Sequence, residues 1–364
     1  MARKIFVAAT GQHSGKTTTS LSLLHLARKK YGRVGFIKPL GPKPCSYQGR
    51  TMDMDAALIA EIYGLDDDLP YMSPVVLEPG ATKQVLDGSI ASEDLLAAMK
   101  TACTELEKRC DFLVIEGSGH SGVGTVIGMS NARVARELDA PVMIISGGGI
   151  GNVVDNVALN LAMFRQEGVE VRLVLANKLL PAKRQESLRY LQLAFGRLGV
   201  TIWGGFNYSP ILANPTLSRI AKILERPLKG DAAAASRIIH HIQLGAASTQ
   251  RVADLLEESS LVLVNSTRDE LLVMLASLYR HPEHRNKIAG LVIPGLQPVS
   301  TITQMIIDGS GIPYVRTEIT NAEAFTTVNS DVSKITAEDA EKLAMVRQLA
   351  EAELDFDAID ALLG

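Results

Sequence analysis

The sequence predicts an α/β protein with a doubly wound, mostly parallel sheet and a second, smaller α/β domain. Short apolar segments alternate with segments of helical periodicity, which is typical of βα units. A glycine-bounded loop joins the first apolar segment to the first helix. The 364 residues also exceed the about 250–300 residues at which a single core stops growing.

The predicted strands of the first domain are near-continuous apolar runs, as expected when helices cover both faces of a parallel sheet. They lie at residues 4–9, 34–37, 112–115, 142–145, 171–176 and 200–204. The predicted helices between them lie at residues 18–30, 55–63, 93–109, 130–138, 153–167 and 182–198. Ligands of such folds bind at the carboxyl ends of the strands.

A change of composition near Pro227 predicts the domain boundary, with residues 1–228 in the first domain and 229–364 in the second. Alternation then resumes on a smaller scale. The predicted strands lie at residues 238–244, 261–264, 288–293 and 312–315, with helices at 249–257, 268–279, 299–308 and 337–352, and a short apolar tail at 356–363.

Composition and charge argue against several classes of partner. The net charge is −3 and there is no long basic run, so neither nucleic acid nor an anionic membrane is an expected partner. No signal peptide or apolar run of about 20 residues is evident, which predicts a soluble, cytoplasmic protein. The three cysteines form neither a disulfide framework nor a zinc pattern.

The loop after the first strand predicts a phosphate-binding site. It runs Gly11-Gln12-His13-Ser14-Gly15-Lys16-Thr17-Thr18 and leads into a helix. A helix that begins at such a loop directs unpaired N–H groups and its positive dipole end at one point. Lys16 is expected to bind the β- and γ-phosphates, and the Thr17 hydroxyl to bind Mg²⁺. The loop has three residues between its glycines, where the usual motif has four.

Charged side chains follow two further strands. Lys38 comes directly after the second strand, where it could hold a substrate carboxylate or the γ-phosphate, or be an exposed loop lysine. Glu116 follows the third strand and precedes a glycine-rich loop, and Asp55 enters a helix that Asp53 or Asp55 could instead cap. Because Mg²⁺ binds carboxylates together with substrate phosphates, Asp55 and Glu116 are predicted metal ligands beside Thr17.

Asn177 ends the fifth strand and is the candidate for reading the nucleotide base. Its amide offers both a donor and an acceptor, which suits the edge of adenine or guanine. The dipeptide Asn177-Lys178 is also consistent with a simple turn.

Taken together and in order, these motifs resemble the dethiobiotin synthetase-like P-loop proteins. They are Thr10-Gly11 to Thr17, Lys38-Pro39, Asp55, Glu116-Gly117 and Asn177-Lys178. The family includes amidotransferase-type cobyrinic acid synthetases, and the chain as a whole resembles the N-terminal region of long phosphotransacetylases. The second half resembles the DRTGG domain of those proteins.

The resemblance implies ATP and Mg²⁺ as cofactors, with GTP not excluded. It implies phosphate binding by Lys16 and Thr17, magnesium binding by Asp55 and Glu116, base binding by Asn177, and an acceptor carboxylate on Lys38. In dethiobiotin synthetases the matching residues bind a carbamate that becomes phosphorylated, so Lys16 and Lys38 are the expected catalytic residues. A homodimer is expected by analogy.

Three departures keep two hypotheses open. The phosphate loop is short, the second half has Thr267-Arg268 and Pro294-Gly295 at the DRTGG positions, and no phosphotransacetylase catalytic domain follows within the 364 residues. One hypothesis is an enzyme that activates a carboxylate or carbamate by phosphorylation. The other is a nucleotide-sensing module for a separate acyl-transfer enzyme.

Overall fold

The structure is a computed structural model that describes residues 2–209, 212, 214–330 and 335–363. The chain divides into two compact units. The first comprises Met1–Tyr208 with Ala340–Gly364, and the second comprises Ser209–Asp339. Among the described residues, no helix combines the length and hydropathy that crossing a membrane requires.

The first unit is built on a six-stranded parallel sheet in the order β10-β9-β8-β1-β7-β2. Its strands are β1 (Arg3–Ala9), β2 (Val34–Ile37), β7 (Phe112–Glu116), β8 (Val142–Gly147), β9 (Val171–Asn177) and β10 (Ile202–Gly204). In β7 every residue is buried, which shows that both faces of the sheet are covered. The doubly wound parallel sheet is confirmed, and the predicted strands lie within about two residues of those found.

Helices connect these strands. They are α1 (Lys16–Tyr31), α2 (Met54–Tyr63), α3 (Leu69–Met72), α4 (Ala81–Leu86), α5 (Ser92–Glu107), α6 (Asn131–Glu137), α7 (Ile150–Gln166) and α8 (Arg184–Leu198). All of them except the short α3 and α4 were predicted from the periodicity. β1 pairs with both β7 and β8, so the loop that follows β1 leaves the middle of the sheet. This is the position at which doubly wound folds bind ligands.

Two small β pairs lie between β2 and β7 and were not predicted. A hairpin joins β4 (Pro44–Tyr47) to β5 (Arg50–Asp53), and β3 (Leu40–Gly41) pairs with β6 (Val75–Val76). The hairpin residues are mostly exposed or half-buried, so they lack the continuous apolar pattern that marks the main strands.

Two C-terminal helices belong to the first unit and pack on its first helix. They are α15 (Ala340–Glu353) and α16 (Phe356–Leu362). The Asp360 carboxylate accepts a hydrogen bond from the Tyr31 hydroxyl at 2.5 Å and lies 2.9 Å from Nζ of Lys30. The C-terminal segment is therefore bound to the helix that begins at the phosphate loop.

This arrangement differs from the predicted division of the chain into residues 1–228 and 229–364. In the structure the units divide after Tyr208, and the C-terminal segment from Ala340 returns to the first unit. The sequence shows that the last helices have an apolar face, but not that this face packs on α1, more than 300 residues earlier.

The second unit contains a five-stranded sheet in the order β11-β15-β14-β13-β12. Its strands are β11 (Leu228–Lys229), β12 (His241–Leu244), β13 (Ser260–Leu263), β14 (Ile288–Ile293) and β15 (Tyr314–Arg316). All neighbours are parallel except β11, which is antiparallel to β15. Its helices are α9 (Leu217–Ile223), α10 (Thr249–Asp254), α11 (Asp269–Tyr279), α12 (Pro282–Arg285), α13 (Thr301–Ser310) and α14 (Asn321–Ser330). This smaller α/β unit was predicted; the identification of it as a DRTGG domain stays a prediction.

Candidate functional site

The loop between β1 and α1 has the backbone of an anion site. Gly15 precedes the first residue of α1 with a φ of 98°, in the left-handed region that favours glycine. A Cβ atom at Gly15 would lie 2.2 Å from Nδ2 of Asn177. The helix therefore starts abruptly, and its first N–H groups face the concave side of the loop, where phosphate binds in such motifs.

Lys16 lies at this helix start and faces two loops. Its Nζ donates hydrogen bonds to the carbonyl oxygen of Gly11 at 3.1 Å and to that of Gly119 at 3.3 Å. The lysine thus spans from its own loop to the loop that follows β7. These two carbonyls are neutral, so an anionic phosphate would bind the ammonium more strongly than either of them.

Two adjacent side chains at the end of β9 donate hydrogen bonds to backbone carbonyls of the phosphate loop. Nδ2 of Asn177 donates to the carbonyl of Ser14 at 2.9 Å, and Nζ of Lys178 donates to the carbonyl of His13 at 2.8 Å. The Asn177 Oδ1 atom accepts the backbone N–H of Phe206 at 3.1 Å. His13 and Lys178 both have left-handed backbones, with φ of 57° and 56°. These contacts fix consecutive carbonyls of the loop.

Lys38 lies in the centre of a buried charged group. Its Nζ is 2.7 Å from Oε1 of Glu116 and 3.0 Å from Oδ2 of Asp55, and it donates to the carbonyl of Gly117 at 3.3 Å. The exposed fraction is 2% for Lys38 and 0% for Glu116. Burial alone would lower the pKa of Lys38, but Glu116 and Asp55 outweigh it and raise the pKa. The ammonium is therefore charged at neutral pH.

Both carboxylate oxygens of Glu116 also bind hydroxyl groups of α1. The Thr17 Oγ1 lies 3.3 Å from Oε1, and the Ser20 Oγ donates to Oε2 at 2.7 Å. Residues 17 and 20 are three apart and therefore lie on one face of the helix. Ser20 was missed in the sequence, although this spacing from Thr17 could have revealed it.

Asp53 is a third carboxylate close to Lys38. It caps α2, accepting the N–H of Asp55 at 2.9 Å, and it also accepts the N–H of Lys43 at 3.1 Å. Burial raises the pKa of Asp53 above its usual range, opposed by the Lys38 charge and reinforced by Asp55. The sequence analysis named Asp53 and Asp55 as alternative caps of this helix, and the structure shows that Asp53 is the cap. The side chain of Asp55 contacts Lys38 instead.

The loop after β7 is fixed by two buried asparagines that the sequence did not reveal. Nδ2 of Asn131 donates to the carbonyls of Ser118 and His120 at 2.7 and 2.6 Å, and its Oδ1 accepts the N–H of Ser118 at 3.0 Å. Oδ1 of Asn160 accepts the N–H of Ser121 at 2.7 Å. These buried hydrogen bonds hold the loop in place beside both lysines.

The oxygen atoms around Lys38 suit a magnesium ion. Thr17, Asp55 and Glu116, the predicted metal ligands, all contribute oxygens to one small region, and Mg²⁺ prefers such hard donors. No cluster of three or more histidine, cysteine, aspartate or glutamate side chains with metal-site geometry occurs among the described residues. A site completed by a hydroxyl group and by substrate phosphates is consistent with both observations. The predicted site roles stay predictions.

The match to a known family agrees with this geometry. Residues 3–216 match the family AAA_26, which is described as an AAA domain, and this is more than half of the chain.

The chain belongs to this family.

It therefore carries a P-loop ATPase-like domain, for which nucleotide binding is supported. The expected resemblance to dethiobiotin synthetase-like P-loop proteins is confirmed.

Two kinds of curated relative are similar to this chain. The phosphate acetyltransferase of Nitratidesulfovibrio vulgaris is 20% identical over 100% of the chain and 52% of its own length. That of Synechocystis sp. is 23% identical over 86% of the chain and 44% of its own length. The ATP-dependent dethiobiotin synthetase of Methanocaldococcus jannaschii is 26% identical over 48% of the chain and 78% of its own length. The chain thus spans about half the length of the phosphate acetyltransferases that it matches.

Among solved structures, the ATP complex of a McdA variant from Cyanothece is similar to this chain. The matched region covers 57% of this chain and 84% of the McdA chain. The TM-score is 0.39 and the identity is 12%. Apo McdA gives a TM-score of 0.38 at 11% identity.

Proposed function

We propose that the protein is a Mg·ATP-dependent enzyme that activates a carboxylate or carbamate by phosphorylation. The observation that supports this most is the placement of two lysines along one rigid loop. Lys16 contacts the carbonyl of Gly119 and Lys38 contacts that of Gly117, two residues away. One ammonium lies at the phosphate loop and the other among carboxylates, so a transferring phosphoryl group between them would be neutralised from both sides.

Each residue has a role in this proposal. The loop N–H groups and Lys16 bind the β- and γ-phosphates, and Thr17, Asp55 and Glu116 hold Mg²⁺. When bound, the metal ion neutralises charge on the phosphates. Lys38 binds the acceptor carboxylate and directs one of its oxygens at the γ-phosphorus. Ser20 and Asn131 keep Glu116 and the loop after β7 in position.

The proposed reaction has two steps, phosphoryl transfer and displacement of phosphate. A carboxylate oxygen of the acceptor attacks the γ-phosphorus, and the bond from that phosphorus to the bridging oxygen of ADP breaks. The products are ADP and an acyl or carbamoyl phosphate. A nucleophile on the same or a second substrate then attacks the activated carbon, and inorganic phosphate leaves. The protein supplies positioning and charge neutralisation, which are the main catalytic effects in phosphoryl transfer.

The environment of Asn177 favours adenine over guanine. With one N–H on Ser14 and one carbonyl lone pair on Phe206, the amide retains one donor and one lone pair. Adenine presents its N7 acceptor beside its N6 donor, whereas guanine presents two acceptors, N7 and O6. The remaining donor and acceptor of the amide complement adenine and leave one group unmatched on guanine.

Calorimetry on three proteins tests the nucleotide site. The wild type is expected to bind Mg·ATP more tightly than Mg·GTP, and Lys16→Ala should lose binding to both, by about a hundredfold or more, because a cation facing phosphate is removed. Lys83→Ala removes an exposed lysine of α4 and should bind as the wild type does. Equal ATP affinity in Lys16→Ala and Lys83→Ala would contradict the proposal.

Turnover requires a separate measurement. The wild type is expected to release phosphate from ATP in a magnesium-dependent manner when a suitable dicarboxylate or diamine substrate is supplied with bicarbonate. A panel of such compounds that never raises phosphate release above the background of Lys16→Ala would rule out the enzyme, even if ATP binds.

A second candidate function is nucleotide sensing on behalf of a separate acyl-transfer enzyme. The phosphate acetyltransferases that this chain matches are about twice as long as the matched region. In this case ATP must favour one state of a complex with such an enzyme, since a ligand with equal affinity for both states shifts nothing. Affinity for a purified phosphate acetyltransferase, measured with and without ATP, should then differ; identical values would exclude this function.

A further inference from the structure

The ammonium of Lys38 forms ion pairs with the same carboxylate oxygens that a divalent cation would need as ligands. Its ammonium contacts Oε1 of Glu116 at 2.7 Å and Oδ2 of Asp55 at 3.0 Å. The same Oε1 atom is the one nearest to the Thr17 hydroxyl, at 3.3 Å. A metal ion bound to Thr17, Asp55 and Glu116 would therefore compete with Nζ of Lys38 for two of its three protein ligands.

A third carboxylate also acts on Lys38. The charge of Asp53, together with those of Glu116 and Asp55, favours the ammonium form of Lys38. Glu116 and Asp53 are buried, with exposed fractions of 0% and 1%, so water screens these carboxylates poorly. They therefore require a nearby cation, which Lys38 supplies in this structure.

We propose that Lys38 acts as a resident cation that keeps the divalent-metal site closed until nucleotide arrives. Resting on the proposed function, this inference adds an exchange: Mg·ATP brings a metal ion for the carboxylates and phosphate oxygens for the released ammonium. Lys38 then moves from Asp55 and Glu116 toward the γ-phosphate, where it also reaches the acceptor carboxylate that the proposed function assigns to it. Binding of the metal ion and movement of Lys38 are therefore coupled.

The exchange explains why neither ligand alone would open the site. Metal without nucleotide has to displace Lys38 and leave its ammonium without an anion in a buried region, which is costly. Nucleotide without metal offers Lys38 new partners, but it leaves Glu116 and Asp55 uncompensated. Bound together, the metal ion compensates the carboxylates and the phosphates compensate Lys38, so the affinity for each rises when the other is present, by the same factor.

The test measures metal binding directly, with Mn²⁺ alone as the probe and no nucleotide. Mn²⁺ accepts the same hard oxygen ligands as Mg²⁺, and its free concentration can be followed by electron paramagnetic resonance. In Lys38→Met the competitor is gone and the carboxylates remain, so Mn²⁺ should bind at least about tenfold more tightly than to the wild type. Mn²⁺ should also raise the melting temperature of this variant more than that of the wild type.

Three further variants make the result specific. Lys83→Met removes an equally charged side chain from an exposed position and should bind Mn²⁺ as the wild type does. Lys38→Met combined with Asp55→Asn should lose most of the gained affinity, because one of the metal ligands is neutralised. Lys38→Gln removes the charge but retains an N–H donor, and it should show a smaller gain than Lys38→Met.

Tighter binding in Lys38→Met that is lost with Asp55→Asn supports the exchange. A folded Lys38→Met that binds Mn²⁺ no more tightly than the wild type overturns it, because Lys38 then does not compete with metal. If Lys38→Met does not fold without metal, Lys38→Gln decides the question by the same criterion. A wild type that fails to bind Mg·ATP would refute the proposed function and leave the metal measurement unaffected, so the two outcomes can be told apart.

Discussion

The carboxyl edges of the two parallel sheets carry similar residue types but use their charges differently. In the first unit, Lys38 and Glu116 are buried and contact each other. In the second unit, the edge arginines donate to backbone carbonyls, and the ion pair of Arg268 with Glu270 is exposed rather than buried. Arg268 donates to the carbonyls of Gly245 and Ala247, both at 3.1 Å. Arg316 similarly donates to carbonyls of the loop after β14.

Burial separates the two edges just as clearly. The buried polar residues that the structure describes in the second unit are Thr216, Ser259, Ser260, Ser266, Thr303 and Thr317, together with Asp339. Asp339 lies at the end of this unit and accepts the backbone N–H of Thr336 at 2.9 Å. Small hydroxyl groups are easily satisfied by nearby backbone, whereas buried charges are costly unless paired. The paired buried charges of the first edge are therefore consistent with the proposed ligand chemistry, and the second edge with loop support.

The largest effect on ATP affinity is expected from substituting a glycine at the first edge. Gly15→Ala adds a Cβ atom 2.2 Å from Nδ2 of Asn177 at a φ of 98°, which strains the backbone and breaks the contact of Asn177 with Ser14. We expect the ATP affinity to fall by about a hundredfold, or roughly 3 kcal/mol, in calorimetry.

Two matched substitutions sharpen this result. Gly32→Ala, at the end of the same helix, has a φ of 83° but no atom within 4 Å of the added Cβ, so it should cost only backbone strain. Gly295→Ala adds a Cβ atom 2.3 Å from Oγ of Ser266 at the second edge. Both should retain the wild-type ATP affinity while lowering the melting temperature. A loss of ATP binding in Gly295→Ala would break the comparison.

These glycines also show what the sequence could predict. Gly15 was recognisable because a strand, a glycine loop and a helix follow one another within a few residues. The main strands were recognisable because burial on both faces leaves mostly apolar residues in them, as at residues 112–115 of β7. The hairpin of β4 and β5 has no such pattern, so its sequence alone predicts a loop. Only the pairing in the structure shows that it is a hairpin.

The site itself was predictable in its charges but not in its supports. Lys38, Asp55 and Glu116 each follow or precede a regular element, so their convergence could be expected from the topology. Asn131 and Asn160 lie inside helices α6 and α7, and nothing in their local sequence indicates that they bind the loop after β7. Contacts between elements far apart in the chain depend on packing that periodicity does not describe.

A smaller effect is expected from the lysine behind the phosphate loop. Lys178→Met removes the hydrogen bond to the carbonyl of His13, while Lys178→Arg retains a donor. If this bond orients the loop N–H groups, Lys178→Met should lower the affinity for Mg·ATP about three- to tenfold. Inorganic tripolyphosphate should lose affinity by the same factor, because it contacts the loop but has no base.

Control variants distinguish loop support from base contact. Lys183→Met, an exposed lysine that follows the same strand, should bind both ligands normally. A loss with ATP that is absent with tripolyphosphate would mean that Lys178 contacts the base. Recovery in Lys178→Arg with both ligands would support the loop contact.

The smallest expected effect concerns an exposed ion pair at the second edge. Glu270 lies 2.5 Å from Nε of Arg268, and this hydrogen bond lowers the pKa of Glu270 from its ordinary value of 4.5. A lowered pKa in the folded state stabilises the fold above about pH 4.5, and the contribution is lost as the pH falls through the folded pKa. Because Glu270 is mostly exposed, Glu270→Gln should cost only about 0.2–0.5 kcal/mol in urea unfolding at pH 7.

That difference should disappear as the pH falls through the lowered pKa of Glu270 in the folded state, because the wild-type carboxylate is then protonated as well. Glu258→Gln removes an exposed carboxylate nearby and should leave stability unchanged over the same pH range. A cost above about 2 kcal/mol for Glu270→Gln would exceed what an exposed pair supplies. It would mean that the second edge depends on its charges as the first one does, and the distinction between loop support and ligand chemistry would then fail.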